Sequence, residues 1–196
     1  MDKYNLSEAI FALKKGRIIV YPTDTLYGLG ADIYNKDAVK KIFDIKKRPF
    51  NMPLSVAVSN FSDLEKIAYT NEKIKKIVQL FLPGKLTLIL KKKNCVSDII
   101  TGGIEKVAVR IPDCNITLRL LSEFGPITAT SANIHGLKTP GIISDIRMQF
   151  KESDIDLYID IGKLCGQPST IIDMTGKQIK IVREGAIPKK VILDEI

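Results

Sequence analysis

The strongest constraint on this chain is a rhythm in which short apolar runs alternate with longer segments of helical period. The runs "RIIVY" (17–21), "LSVAV" (54–58), "LTLIL" (86–90) and "KVAVRI" (106–111) are too short for helices and are bounded by Gly, Pro or polar residues, so they read as strands. Between them, residues 6–15 place Leu6, Ile10 and Leu13 on one helical face, with Gly16 as the stop. A second helix is expected from about Asp37 to Lys46, with Val39, Ile42 and Phe43 inward. Ser62, with Glu65 three residues on, reads as the capping box of a helix through Ala68. Residues 72–82 carry an apolar stripe ended by Pro83-Gly84, and 115–125 form a helix with a glycine stop. Strands cluster at the end in "LYIDI", "STIIDM" and "IKIVRE", the last two joined through "TGK" as a hairpin. The pattern predicts an α/β domain around a mixed, twisted sheet rather than a pure doubly wound one.

Composition narrows the chemistry. At 196 residues a single domain, 1–196, is expected. Thirty Lys plus Arg against 22 Asp plus Glu give a formal charge of +8, a balance that favours anionic ligands. Cys95, Cys114 and Cys165 are scattered, and no CxxC pair exists, which argues against a disulfide framework or a structural zinc site. His135 is the lone histidine, so a multi-histidine metal centre is excluded. No GxxxxGK[ST] loop is present, and ATP, if bound, is bound without one. The N-terminus lacks a signal-peptide run and no stretch is long enough to span a bilayer; a cytoplasmic location away from membranes is expected.

Four polar segments sit where α/β folds present their ligand loops. "YPTDTLYGLG" (21–30) offers hydroxyls and glycines after a strand, or is a turn bonded to itself. "FDIKKRPF" (43–50) brings Lys46, Lys47 and Arg48 to a helix end stiffened by Pro49 and Pro53. Lys47 reads as a solvated cation complementing the helix dipole, whereas Lys46 and Arg48 can converge on one anion, Arg48 with a fork suited to phosphate. "TATSANIHG" (128–136) places Thr128, Thr130, Ser131 and Asn133 near one point, for a phosphate or ribose or as a capped turn. "GQPSTIID" (166–173) with "IVREG" (181–185) adds Ser169, Thr170 and Arg183. Arg110 in "VAVRIPD" is flanked by apolar residues and needs an anionic partner, either a protein carboxylate or a ligand.

The ordered set "YPTDTLYGLG", "KKRP…NMPL", "LPGKLTLIL", "VAVRIPD", "TATSANIHG", "PSTIID" and "IVREG" resembles the YrdC/TsaC family of threonylcarbamoyl-adenylate synthases from about residue 7 to 186. The pairing of Lys46/Arg48 with Ser131/Asn133 carries most of that resemblance. It implies a YrdC-like twisted open mixed sheet flanked by helices, with a basic concave face, in the short single-domain form. It also implies a nucleotidyltransferase reaction in which L-threonine, bicarbonate and ATP, with Mg²⁺, give threonylcarbamoyl-adenylate and pyrophosphate. The product would pass to downstream proteins that modify position 37 of tRNA, with tRNA or double-stranded RNA a possible further contact. Lys46 and Arg48 would be catalytic; Lys46, Arg48, Thr128, Ser131, Asn133 and Arg183 would hold ATP; Thr25, Arg110 and Ser169 would line the threonine pocket. No protein side chain is assigned to the metal.

The chain departs from the family pattern at Ala57, where relatives carry a histidine, at His135, where a serine is usual, and at Lys85, where a proline is common. Two other readings use the same residues. An RNA-binding or ribosome-maturation protein would exploit the basic face, but RNA readers interleave aromatics with their cations, and none stands among Lys46, Lys47 and Arg48. A carbamoyl-transfer module of a hydrogenase-maturation protein would bring zinc-finger cysteines, which this chain lacks.

Overall fold

A computed structural model describes residues 6–195; residues 1–5 and 196, the outermost part of the expected 1–196 domain, lie outside it. The strands are β1 (Ile19–Tyr21), β2 (Gly28–Gly30), β3 (Ser55–Ala57), β4 (Leu86–Lys91), β5 (Lys106–Arg110), β6 (Ile127–Thr128), β7 (Thr130–Ser131), β8 (Leu157–Tyr158), β9 (Thr170–Asp173) and β10 (Lys180–Arg183). The helices are α1 (Leu6–Lys14), α2 (Lys36–Lys46), α3 (Phe61–Ile67), α4 (Glu72–Phe81), α5 (Asp98–Thr101), α6 (Asn115–Phe124), α7 (Ile143–Gln149) and α8 (Lys189–Asp194).

The mixed α/β class expected from the pattern holds, with the strands divided between two sheets. One has the order β7-β2-β1-β8 and the other β10-β9-β4-β5-β3-β6. Only Ala129 separates β6, at the edge of the larger sheet, from β7, at the edge of the smaller. Both sheets mix parallel and antiparallel pairs: β3 runs parallel to β5 and β4 to β9, while β4 and β5 are antiparallel. The expected C-terminal hairpin is present as β9 and β10, with Ile181 opposite Ile172.

Asparagine starts three helices. The side chains of Asn35, Asn60 and Asn71 accept from the free amides of the first turns of α2, α3 and α4. For α3 this corrects the expectation of a Ser62 cap, because Asn60 Oδ1 already holds the Asp63 amide at 2.9 Å. The main core lies between the helices and the larger sheet, from Val56, Leu88 and Val109 to Val39, Ile42, Leu64 and Ile77. A smaller core joins α1 and α6 to β1 through Leu6, Leu13, Leu120, Leu121 and Tyr21.

Strand β2 was not expected, since "GLG" lacks strand propensity. Its glycines are explained by Tyr21 on the neighbouring strand. A Cβ on Gly28 would stand 3.0 Å from the Tyr21 ring, which lies across the backbone and donates its hydroxyl to the Thr128 carbonyl at 2.9 Å. A methyl group there would push the ring out of this position.

Candidate active site

Between the two sheets, at the seam around Ala129, is a cavity of about 440 Å³, within the range of small-molecule sites. It takes its floor from the larger sheet, where Ser55, Thr87, Ile89, Ala108, Arg110 and Ile171 alternate with residues that point into the core. Three arginines line it: Arg48, Arg110 and Arg183. Cysteine, histidine, lysine and carboxylate side chains are absent from its lining among the described residues.

Arg48 leaves α2 just after Lys47, which ends the helix in the left-handed conformation (φ 52°) with its amide on the carbonyls of Phe43 and Asp44. That turn swings Arg48 toward the cavity. Its Nε donates to the Met52 carbonyl at 3.1 Å and its Nη2 to the Pro53 carbonyl at 2.9 Å, which leaves Nη1 for a ligand. Arg183 is held in the same manner by one carbonyl, that of Ser169, through Nε at 3.2 Å and Nη2 at 2.7 Å. Burial pulls both guanidinium groups below their ordinary range, and at Arg183 the charge of Arg110 adds to the effect. Two arginines thus face the cavity with their forks already aimed by backbone, an arrangement that awaits an anion.

Arg110 lies deeper. Its Nη2 donates to Asp24 Oδ1, and its Nη1 reaches Thr25 Oγ1 at 3.1 Å. The ion pair is buried on both sides, yet it is made through one oxygen only. Asp24 Oδ2 and Arg110 Nε are the buried side-chain atoms without a hydrogen-bond partner among the described residues. Asp24 stands behind Arg110, outside the lining of the cavity. Ser169 completes this wall, with its hydroxyl 2.8 Å from Thr87 Oγ1.

Lys46 is placed differently from Arg48. It is 1% exposed and does not line the cavity. Its ammonium donates to the carbonyls of Ser131 and Asn133, at 2.5 and 2.7 Å, with Asn133 Oδ1 at 3.4 Å. Asn133 in turn accepts from the Ser131 hydroxyl at 2.5 Å and donates to the carbonyls of Ile134 and Leu137. Lys46 and Asn133 therefore build the loop that presents Ser131, and Ser131 meets the cavity. Burial first, then the charge of Arg48, pulls Lys46 down to about 7.

Of the other expected nucleotide contacts, Thr128 lies outside the lining. It is fully buried, its hydroxyl donating to the Leu29 carbonyl at 2.8 Å and accepting from the Ala31 amide at 3.0 Å. Such a hydroxyl ties β6 to β2. Thr25, Arg110 and Ser169, expected at the amino-acid end, all line the cavity. Ala57 is fully buried and packs in the smaller core with Tyr21 and Ile127, and His135 is exposed with its amide on the Lys46 carbonyl at 2.8 Å. Thr23, Thr87 and Thr139 line the cavity without having been singled out. For Thr87 the signal was a polar residue inside the apolar run "LTLIL".

A family model described as "Telomere recombination", the Sua5/YciO/YrdC domain, matches residues 11–185. The chain belongs to the Sua5/YciO/YrdC family. Among its relatives, a putative threonylcarbamoyl-AMP synthase of Methanocaldococcus jannaschii is 45% identical over 174 residues, covering 88% of this chain and 82% of the relative. The threonylcarbamoyl-AMP synthase of Pyrococcus abyssi is 38% identical over 192 residues; the match covers 96% of this chain but 56% of that longer protein. The crystal structure of Pyrococcus abyssi Sua5 complexed with L-threonine superimposes with a TM-score of 0.93 at 37% identity, over 97% of this chain and 57% of that one. The Sua5/YciO/YrdC fold thus accounts for both sheets. Among the described residues no helix is long and apolar enough to cross a membrane, and no His, Cys, Asp and Glu cluster could hold a metal ion.

Proposed function

We propose that this protein is a threonylcarbamoyl-AMP synthase, a nucleotidyltransferase that condenses L-threonine, bicarbonate and ATP. The observation that carries the reading is the make-up of the cavity: three arginines and a surround of hydroxyls, with no cysteine, histidine, lysine or carboxylate in the lining to serve as an activated nucleophile or a base. The proposed reaction needs none. The threonine amine and bicarbonate give a carbamate and water, and a carbamate oxygen attacks the α-phosphorus of ATP as pyrophosphate leaves. The substrate is its own nucleophile, so the protein's contribution is alignment and charge stabilisation.

The roles follow the geometry. Arg48, with Ser131, faces the phosphates, and Arg183 contributes a second fork. Lys46 and Asn133 hold the Ser131 loop and lend their charge and dipoles from behind it. Arg110, Thr25 and Ser169 form the amino-acid end, where Arg110 takes the carboxylate. Mg²⁺ would come with the ATP substrate and supply charge neutralisation at its phosphates, since the lining offers it no carboxylate. The names of the relatives and the L-threonine complex of Pyrococcus abyssi Sua5 support this reading over an RNA-binding role. A cytoplasmic site of action, transfer of the product by downstream proteins to tRNA position 37, and any direct tRNA or double-stranded RNA contact belong to the same proposal.

The test is pyrophosphate release from ATP and Mg²⁺ by the purified protein, with L-threonine and bicarbonate omitted in turn. Release that requires both is the expected result. Release independent of threonine, or none with all substrates present, would sink the reading.

A further inference from the structure

Ser131 and Thr139 both line the cavity, and the chain between them passes through a turn closed by the Leu137 amide on the Ile134 carbonyl at 3.0 Å. Two primary amides hold that turn. Asn133 does so from within, donating from Nδ2 to the carbonyls of Ile134 and Leu137, at 2.8 and 2.7 Å. Gln149, the last residue of α7, does so from outside. Its Oε1 accepts from the Ile134 amide at 2.9 Å, and its Nε2 donates to the Lys138 carbonyl at 3.0 Å. Which end of the amide is which is settled by these partners, since a backbone N–H only donates and a carbonyl only accepts. One side chain thus closes both ends of the segment 134–138.

Thr139 follows Lys138 directly. On its other side Pro140 leads to Gly141, whose carbonyl accepts from the Leu164 amide at 2.8 Å. The approach there is so close that a Cβ on Gly141 would collide with the Leu164 carbonyl oxygen. Thr139 is therefore slung between two fixed carbonyls, one held by Gln149 and the other by Leu164. Helix α7 is a firm base for the first of these. Ile143, Ile146 and Phe150 are buried in the main core, and the Arg147 guanidinium lies over the Tyr158 ring at 3.8 Å.

We propose that Gln149 is a positioning residue for the nucleotide end of the cavity, fixing the place of Thr139 beside Ser131 without touching the substrates. This rests on the synthase reading and adds a residue to its support. Gln149 is absent from the cavity lining, so its influence passes through the loop. Its bond to Lys138 is exposed, and water can take over that carbonyl when the side chain is removed. What the loss of Gln149 costs is then position rather than stability, and small displacements of a positioning group are costly in a site that works by alignment. Thr25, Arg110 and Ser169 stand on other elements, so the amino-acid end does not depend on this clamp.

The experiment compares wild type with Gln149→Met, which keeps the side-chain length but has neither the amide donor nor the acceptor. ATP affinity, the kinetics of pyrophosphate release, thermal melting and hydrogen exchange of the segment 134–139 are measured on both. Gln149→Met is expected to bind ATP about tenfold more weakly and to raise KM for ATP by the same factor, on the scale of one or two lost hydrogen bonds. KM for L-threonine should be unchanged, the melting temperature should stay within about 4 °C of wild type, and the segment 134–139 should exchange faster. A role in stability alone would lower the melting temperature and leave ATP affinity as it was. That result would overturn the proposal, as would equal increases in KM for ATP and L-threonine, or unchanged exchange of the segment. Should Gln149→Met melt early, Gln149→Asn takes its place with the same expectation, since it keeps the amide but is one methylene too short to reach both ends. A wild type that neither binds ATP nor releases pyrophosphate would remove the synthase reading and this inference with it. An active wild type with an unaltered Gln149→Met removes this inference alone.

Discussion

The ammonium of Lys46 donates to the carbonyl of Asn133 at 2.7 Å across 87 residues of sequence, and both side chains are buried. This contact and its partner on Ser131 fasten the end of α2 to the loop after β7. Replacing Lys46 with Met should strand the buried Asn133 carbonyl, while the Ser131 carbonyl and Asn133 Oδ1 keep one donor each, at a cost of about 1–3 kcal/mol. Denaturant unfolding would measure it. Pyrophosphate release should fall too, because Ser131 would lose its support; a fully stable Lys46→Met protein would show that the loop holds itself.

Lys46 also makes a pH prediction. The folded group titrates at about 7 because burial, helped by Arg48, opposes its charge. The unfolded chain keeps that proton to about pH 10.4. Between those values the unfolded state binds more protons, so stability rises with pH, by up to about 1.4 kcal/mol per unit. The unfolding free energy of wild type minus that of Lys46→Met should climb from pH 7 to 9. A flat difference would mean that Lys46 stays charged throughout.

Adjacent Arg48 and Lys47 should separate cleanly. Arg48→Ala is expected to lower kcat by about 10²–10³-fold while the protein stays folded, the loss typical of one preorganised donor. Lys47→Gly should leave activity unchanged and add about 1 kcal/mol of stability, since Lys47 holds φ at 52°, where a side chain is strained. Steady-state kinetics and thermal melts of the two variants decide both points.

Asp24→Asn leaves an oxygen for Arg110 but no countercharge. The protein should lose about 3–5 kcal/mol, as when one partner of a buried pair is removed. Under the proposed function L-threonine brings a carboxylate to Arg110 and restores the balance. The rise in melting temperature on adding L-threonine should therefore be larger in Asp24→Asn than in wild type. Equal rises would place the substrate carboxylate elsewhere.

Much of this architecture was legible in the sequence. Strands β4 and β5 and helices α2 and α4 follow from apolar period, because each buries one face against a continuous core. What escaped notice has local causes. Helix α7 has seven residues and follows Ile142, which supplies no side-chain cap, so neither period nor punctuation announced it. Helices α5 and α8 are shorter still. Strand β2 was hidden because its glycines answer to the Tyr21 ring, a tertiary reason that local propensity does not contain. In the site, residue chemistry picked out Lys46, Arg48 and Ser131 together, but only the fold could separate the two that face the cavity from the one that stands behind. Asp24 was visible as part of a polar turn, and its service to Arg110 required the turn after β1 to be brought against the end of β5 in the other sheet.

The seam at Ala129 has an evolutionary consequence. Loops on the outer surface can lengthen or shorten with little effect on the site, but β6 and β7 are joined by one residue and belong to different sheets. A single insertion there would slip the register of β7 against β2, displacing Ser131 and shifting the residues that follow out of reach of Lys46. Substitutions can drift through this region one at a time; indels cannot. In descendants of this chain the spacing from Thr128 to Asn133 should outlast the identities of the residues between them.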